Sequence, residues 1–380
     1  MFRQARVIII ALFISLNMGA LLYITSTFLA NWFSAGIVSL LFIIGAAANI
    51  ALFLIAPHLL NWFGKRLLLV SSLLATSLGT FALALATTGE VAAFGFVLYA
   101  SFLLLNYYCL DIFLEELSSN SETGEIRGIY FTFVNAGIAA GPLLLALLTA
   151  TSSLSVIYWS ALFLLIPAIL IALFYFPLHK DIHKRHMPHS LPFKKWWYNK
   201  DVRSVTLAKI ALETFYGFMV IYTPIYLHGT LGFPWAELGL IFTVALLPFV
   251  LFEWPIGELA DRYLGEKEIM SLGFFITGSA LLVMPFIGKI FLAWMAILFL
   301  SRVGASFVEI TTESYFFKKI DHTETGLLSI FRLTRPASII LTGIMGIVFL
   351  NLFSIEKIFF LIAFIALLGF RESLYITDTR

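Results

Sequence analysis

Long apolar runs separated by short polar intervals dominate this chain. Breaking it at charges and at Gly/Pro/Ser/Asn clusters leaves twelve runs, near 6–30, 35–60, 66–88, 92–117, 126–151, 154–178, 204–228, 234–256, 268–287, 290–316, 327–351 and 356–376. A helix needs about 20 mainly apolar residues to cross a bilayer, so each run predicts one membrane span, numbered 1 to 12 in chain order. The first begins at Arg6 without a small-residue cleavage site, which predicts a retained helix rather than a signal peptide. An even number of spans puts both termini on one side.

Composition agrees with the pattern. Of 380 residues, 61% are hydrophobic and only 12% charged, too few charges to cover the surface of a soluble fold of this length. A single cysteine, Cys109, excludes a disulfide scaffold, and a net charge of +2 gives no reason to expect nucleic acid as a partner. The distribution of basic residues is more informative than their sum. Arg3, Lys65, Arg66, Arg127, seven Lys/Arg between Lys180 and Arg203, Arg262, Lys267, Lys318 and Lys319 fall on one set of loops; the alternate loops hold little beyond Lys289 and Lys357. The positive-inside rule makes the first set and both termini cytoplasmic.

The longest polar interval, Pro177–Arg203, divides the chain after six spans. The expected organisation is therefore a six-helix bundle over 1–178, a cytoplasmic loop over 179–202 and a second six-helix bundle over 203–380. Lys194, Lys195, Trp196, Trp197 and Tyr198 in this interval mix basic and aromatic groups, as segments at a membrane interface do. The halves also share motifs about 200 residues apart. Gly257, Asp261, Arg262, Gly265 and Lys267 lie between spans 8 and 9; a weaker copy with Pro57, Asn61, Gly64, Lys65 and Arg66 lies between spans 2 and 3. Asp111/Glu115 end span 4 and Glu309/Glu313 end span 10, each pair four residues apart on one helix face. Repeated halves mark several transporter folds.

These residues carry a resemblance. The loop motif, Gly-x-Leu-Ala-Asp-Arg with a following Gly and Lys, resembles that of the major facilitator superfamily, with one inserted residue in the second copy and departures at Pro57 and Asn61 in the first. Gly128, Gly137, Gly141 and Pro142 in span 5 are similar to the opening of the antiporter motif of drug-efflux members; Leu145-Ala146 replace its closing glycines. The family's span-4 arginine motif is missing, and Arg302-Val-Gly304 in span 10 echoes it. The resemblance covers the whole chain and implies an all-α fold of twelve helices in two pseudo-symmetric bundles, working by alternating access.

An ionisable side chain at the bilayer centre costs at least ~2.5–3.5 kcal/mol, so those found there should be paired or face water. At ~1.5 Å of rise per residue, Glu213 lies near the midplane of span 7, with Lys209 one turn shallower on the same face, and Arg302 near the midplane of span 10. Asn17, Asn49, Asn106 and Asn135 reach comparable depths in spans 1, 2, 4 and 5. Two readings stand side by side. Glu213, Tyr216, Arg302 and the four asparagines line a central substrate cavity, or they form structural ion pairs and interhelical hydrogen bonds. Lys65, Arg66, Asp111, Glu115, Gly257, Asp261, Arg262, Glu309, Glu313, Arg332 and Arg335 are candidates for a cytoplasmic gate. Lys65 and Arg66 would reach Glu115 or Asp111, Arg262 would reach Glu313, and Arg332 and Arg335 would reach Glu309 or Glu253. Asp111, Glu213 and Glu253, the last just before Pro255, are candidates for proton coupling.

His179, His183, His186, His189 and Asp181 crowd the central loop, but a solvated basic linker accounts for them better than a metal site. No phosphate loop, zinc-protease motif, nucleophile elbow or CxxC pair occurs. The chain is thus read as a transporter and not an enzyme, without cofactor or metal. The expectation is a monomer in the inner (plasma) membrane that exports a small organic or amphipathic solute in exchange for protons. An importer of a sugar or other nutrient, a lipid translocase, and from another class an intramembrane enzyme are the alternatives.

Overall fold

The computed structural model describes residues 2–117, 123–148, 154–175, 192–320 and 325–377. Among the described residues there is no strand, and twelve helices are long and apolar enough to cross a membrane. They are α1 (Gln4–Leu22), α2 (Ala35–Ala56), α3 (Lys65–Ala84), α4 (Gly89–Leu114), α5 (Ile129–Leu148), α6 (Ser155–Tyr175), α7 (Lys200–Thr230), α8 (Trp235–Phe252), α9 (Glu266–Phe286), α10 (Phe291–Lys319), α11 (Ile330–Leu350) and α12 (Ile355–Tyr375). Each falls on one of the twelve expected runs.

Side chains are distributed as a bilayer demands. Phe174, Leu147 and Leu54 are largely exposed, while Asn17, Asn49, Asn106, Thr76, Lys209 and Arg302 are buried. A soluble fold arranged this way would leave its largest apolar groups in water. In lipid, the same arrangement turns apolar faces to the acyl chains and polar groups toward neighbouring helices.

The chain divides into two compact units, Met1–Arg185 with Phe233–Thr243, and His186–Gly232 with Val244–Arg380. In the first, α1 lies along α5 with backbones nearly touching. A Cβ on Gly141 would lie 2.1 Å from the carbonyl carbon of Gly19, and one on Gly19 would lie 2.4 Å from the Ile138 oxygen. The amide hydrogens of Asn17, Asn49 and Asn106 are donated to Ala161 O (2.9 Å), Ser101 O (3.0 Å) and Thr76 Oγ1 (2.9 Å), tying α1 to α6, α2 to α4 and α4 to α3. The opening of α8 belongs to this unit too: Phe242 stacks on Tyr23 with centroids 4.1 Å apart, and Gly239 leaves room for Ala146 of α5.

In the second unit, α11 is joined to α7 by hydroxyls rather than amides. Ser338 and Thr342 donate to the carbonyls of Ile210 and Thr214, both at 3.2 Å. At one end, Glu266 at the start of α9 is fully buried and accepts from Ser314 (3.1 Å) and from Lys318 of α10. Nearby pairing of Lys319 with Asp201 at 2.9 Å joins α10 to α7, and Asp201 also accepts from the backbone N–H of Thr377 at 3.0 Å.

The repeated loop motif has a backbone counterpart in both units. Gly64 precedes α3 with φ 77° and ψ 164°, and Gly265 precedes α9 with φ 87° and ψ 159°. This region is closed to residues with a Cβ, so both copies need glycine there although neighbouring positions differ. Two further irregularities are π-helical turns, Ile225–Thr230 after Pro224 in α7 and Ala260–Leu264 in the loop motif itself.

Gly141→Ala should cost about 1–3 kcal/mol by overpacking the α1–α5 seam, read as a lower midpoint of thermal unfolding in detergent. Gly278→Ala is the control: its Cβ would meet only the Ala366 methyl at 3.7 Å, and its midpoint should not fall.

A buried lysine among three carboxylates

The second unit concentrates its charge on one seam between α7 and α10. Lys209, Glu213 and Tyr216 recur on α7 at helical spacing, and Arg302, Glu309 and Glu313 recur on α10 in the same way. Packing of the two stripes brings the Lys209 ammonium within 3.3 Å of Glu313, 3.6 Å of Glu213 and 3.9 Å of Glu309. Lys209 is 5% exposed and Glu213 8%. Neither charge has enough water around it to be solvated independently.

Around this centre the remaining groups are placed by hydrogen bonds and ring faces. The Tyr216 hydroxyl donates to Glu309 Oε2 at 2.7 Å. The buried Arg302 guanidinium lies 4.7 Å from the Phe215 ring centroid and 5.8 Å from that of Tyr216, a cation–π arrangement that stabilises a cation out of water. Arg332 of α11 is half exposed and donates to Glu313 at 3.2 Å. Arg335, one turn on, is within electrostatic reach of Glu213. The seam therefore runs from a deeply buried end at Arg302 and Glu213 to a wetter end at Glu313 and Arg332.

Residues assigned from sequence to separate tasks meet here. Glu213, Tyr216 and Arg302 were expected in a cavity, and Glu309, Glu313 and Arg332 in a gate; one lysine connects both sets. Among the described residues, Arg332 pairs with Glu313 rather than with Glu309. Lys209 was not among the expected site residues, although its place four residues before Glu213 on a midplane face was the available signal.

The first unit has no equivalent arrangement among its described residues. Asp111 is exposed, and Arg66 donates to the Leu173 carbonyl at the end of α6. With the 200-residue offset, Lys209 and Glu213 fall opposite the apolar stretch Ile8–Ile14 of α1. The polar contact nearest in depth is the Ser15 hydroxyl on that of Tyr107, 2.8 Å apart. Asn17, Asn49 and Asn106 are occupied in the interhelical bonds given above; Asn135 is half-buried and Lys65 is partly exposed. Gly137 and Gly141 form the α1–α5 seam, and Gly257 packs against Ile310 of α10. The side chains of Glu115, Glu253, Asp261 and Arg262, the surroundings of Gly128, and the histidines from His179 to His189 lie outside the described residues.

The family model described as Major Facilitator Superfamily matches residues 7–239 and 214–377. Among solved structures, a mutant of the nucleoside transporter NupG is similar over 99% of this chain and 100% of that one, with a TM-score of 0.76 and 14% identity. That likeness is one of fold. No curated protein sequence matches the chain.

Truncating Lys209 would leave three carboxylates facing one another. Lys209→Met should destabilise the protein by about 3–5 kcal/mol, as removal of one partner from a buried pair does. Adding Glu213→Gln to it should recover part of the loss. Thermal unfolding of the two variants in detergent reads both effects, and equal midpoints for wild type and Lys209→Met would contradict them.

Proposed function

The chain belongs to the Major Facilitator Superfamily, and on that premise we propose that it moves a small organic or amphipathic solute across the membrane in exchange for protons, by alternating access, with the α7–α10 seam as the coupling element. The family makes it a multi-pass membrane transporter and not an enzyme. What supports proton coupling is the Lys209 ammonium lying within 4 Å of three carboxylates. One cation cannot serve three anions equally. A shift of Lys209 toward Glu313 leaves Glu213 with only the more distant Arg335 as counter-charge in a nearly dry site, where taking up a proton relieves the cost. A shift toward Glu213 favours release of that proton at the wetter end. Glu213 is the proton carrier in this reading, and Glu309 and Glu313, anchored by Tyr216 and Arg332, are the alternate partners.

Of the other coupling candidates, Asp111 is exposed, which favours Glu213. Export is favoured by the Gly137/Gly141/Pro142 seam of span 5, whose glycines form the tight α1–α5 contact. The basic loops favour a cytoplasmic placement of both termini, in the inner (plasma) membrane. In the second unit, the faces carrying Tyr216 and Arg302 are assigned to substrate binding. Asn17, Asn49 and Asn106 are assigned to helix packing because each amide nitrogen donates to a neighbouring helix, while each Oδ1 is buried without a hydrogen-bond partner among the described residues. The protein works as a monomer in this account.

A panel of solutes in proteoliposomes under proton gradients of either sign tests the proposal. Solute movement opposite to proton movement is expected. Movement in the same direction would make the protein an importer, and turnover of a lipid or glycan without solute flux would make it a translocase or an enzyme.

A further inference from the structure

Ahead of α7, residues Phe193–Tyr198 form a short helix in which no residue is buried. Phe193, Trp197 and Tyr198 are 58%, 58% and 76% exposed, and Lys194, Lys195 and Lys200 are exposed beside them. From 193 to 203, four basic side chains stand against one acidic, Asp201, and that one is bound to Lys319. The segment is fixed to the helix it precedes. Arg203 donates to the Trp197 carbonyl at 2.9 Å and lies over its ring at 5.1 Å. Asn199 caps α7 by accepting from Val202 N at 3.2 Å, and Lys200 lies 5.6 Å from the ring of Tyr375 at the end of α12.

Exposed aromatic rings and lysines held together at the end of a spanning helix match one chemical surface. Tryptophan and tyrosine settle at the level of lipid headgroups, and ammonium groups add attraction to anionic lipids. We propose that Phe193–Lys200 is a binding site for the headgroups of anionic glycerophospholipids, with the rings set among the glycerol backbones and Lys194 and Lys195 on the phosphates. The site fixes the depth of α7, and hence of Lys209 and Glu213, in the bilayer. It requires only that α7 crosses the membrane, so it stands or falls independently of proton coupling.

The test is quenching of tryptophan fluorescence in proteoliposomes containing either brominated phosphatidylglycerol or brominated phosphatidylcholine. A Trp196→Phe/Trp197→Phe variant isolates the share from this pair. That share should be quenched at least about twofold more by the anionic lipid, with the preference shrinking at high salt. Lys194→Gln/Lys195→Gln should abolish the preference, and Lys194→Arg/Lys195→Arg should keep it. Equal quenching by both lipids, a preference unaffected by salt, or no quenching at all would overturn the proposal. If the glutamine variant does not fold, the salt titration on the wild-type protein decides.

Discussion

A lysine ammonium that has left water must be held by something else, and the second half of this protein is built around that requirement. Lys209 sits nearly dry, and groups from α7 and α10 supply its surroundings, while Arg332 of α11 holds the nearest of the three carboxylates. Each neighbour depends on it in turn. Glu213 is buried because Lys209 is one helical turn away, and Glu309 is oriented because Tyr216 donates to it. Arg302 completes the seam by resting on the rings that flank this stripe. Such a network is expensive to desolvate and costly to leave incomplete. That favours a working role over simple reinforcement, since apolar residues of similar volume would hold two helices together at lower cost.

Among the described residues, the first half has no counterpart of this charged seam. Its helices meet through amide-to-carbonyl bonds and through glycines that bring α1 and α5 backbones into contact. The two units thus share a scaffold, down to the left-handed glycines Gly64 and Gly265, but differ in chemistry. A division of labour follows. In the proposed account the first unit supplies a close-packed frame, and the second supplies groups that can exchange partners.

How much of this could be read from the sequence depended on the kind of signal. The twelve helices were legible because apolar length is a one-dimensional property, and the bilayer enforces it residue by residue. The repeat was legible through Gly257/Gly265 and Glu309/Glu313 for the same reason. Which charges meet was not. Position along a helix fixes only one coordinate; the rotation of α7 against α10 brings Lys209 to Glu313. The asparagines show the converse. Their depth invited a cavity role; Asn17, Asn49 and Asn106 each donate to a neighbouring helix, a partner set by side-chain direction that the sequence does not carry. Lys318 likewise reads as a loop charge and instead pairs with the buried Glu266.

The central claim is that Glu213, paired with Lys209, couples solute movement to protons. With a solute identified in proteoliposomes, the direct measurement compares uphill accumulation driven by a proton gradient with solute exchange at equilibrium, in wild type and Glu213→Gln. Exchange that persists while accumulation is lost is the predicted result. Accumulation at the wild-type level in Glu213→Gln would contradict the account.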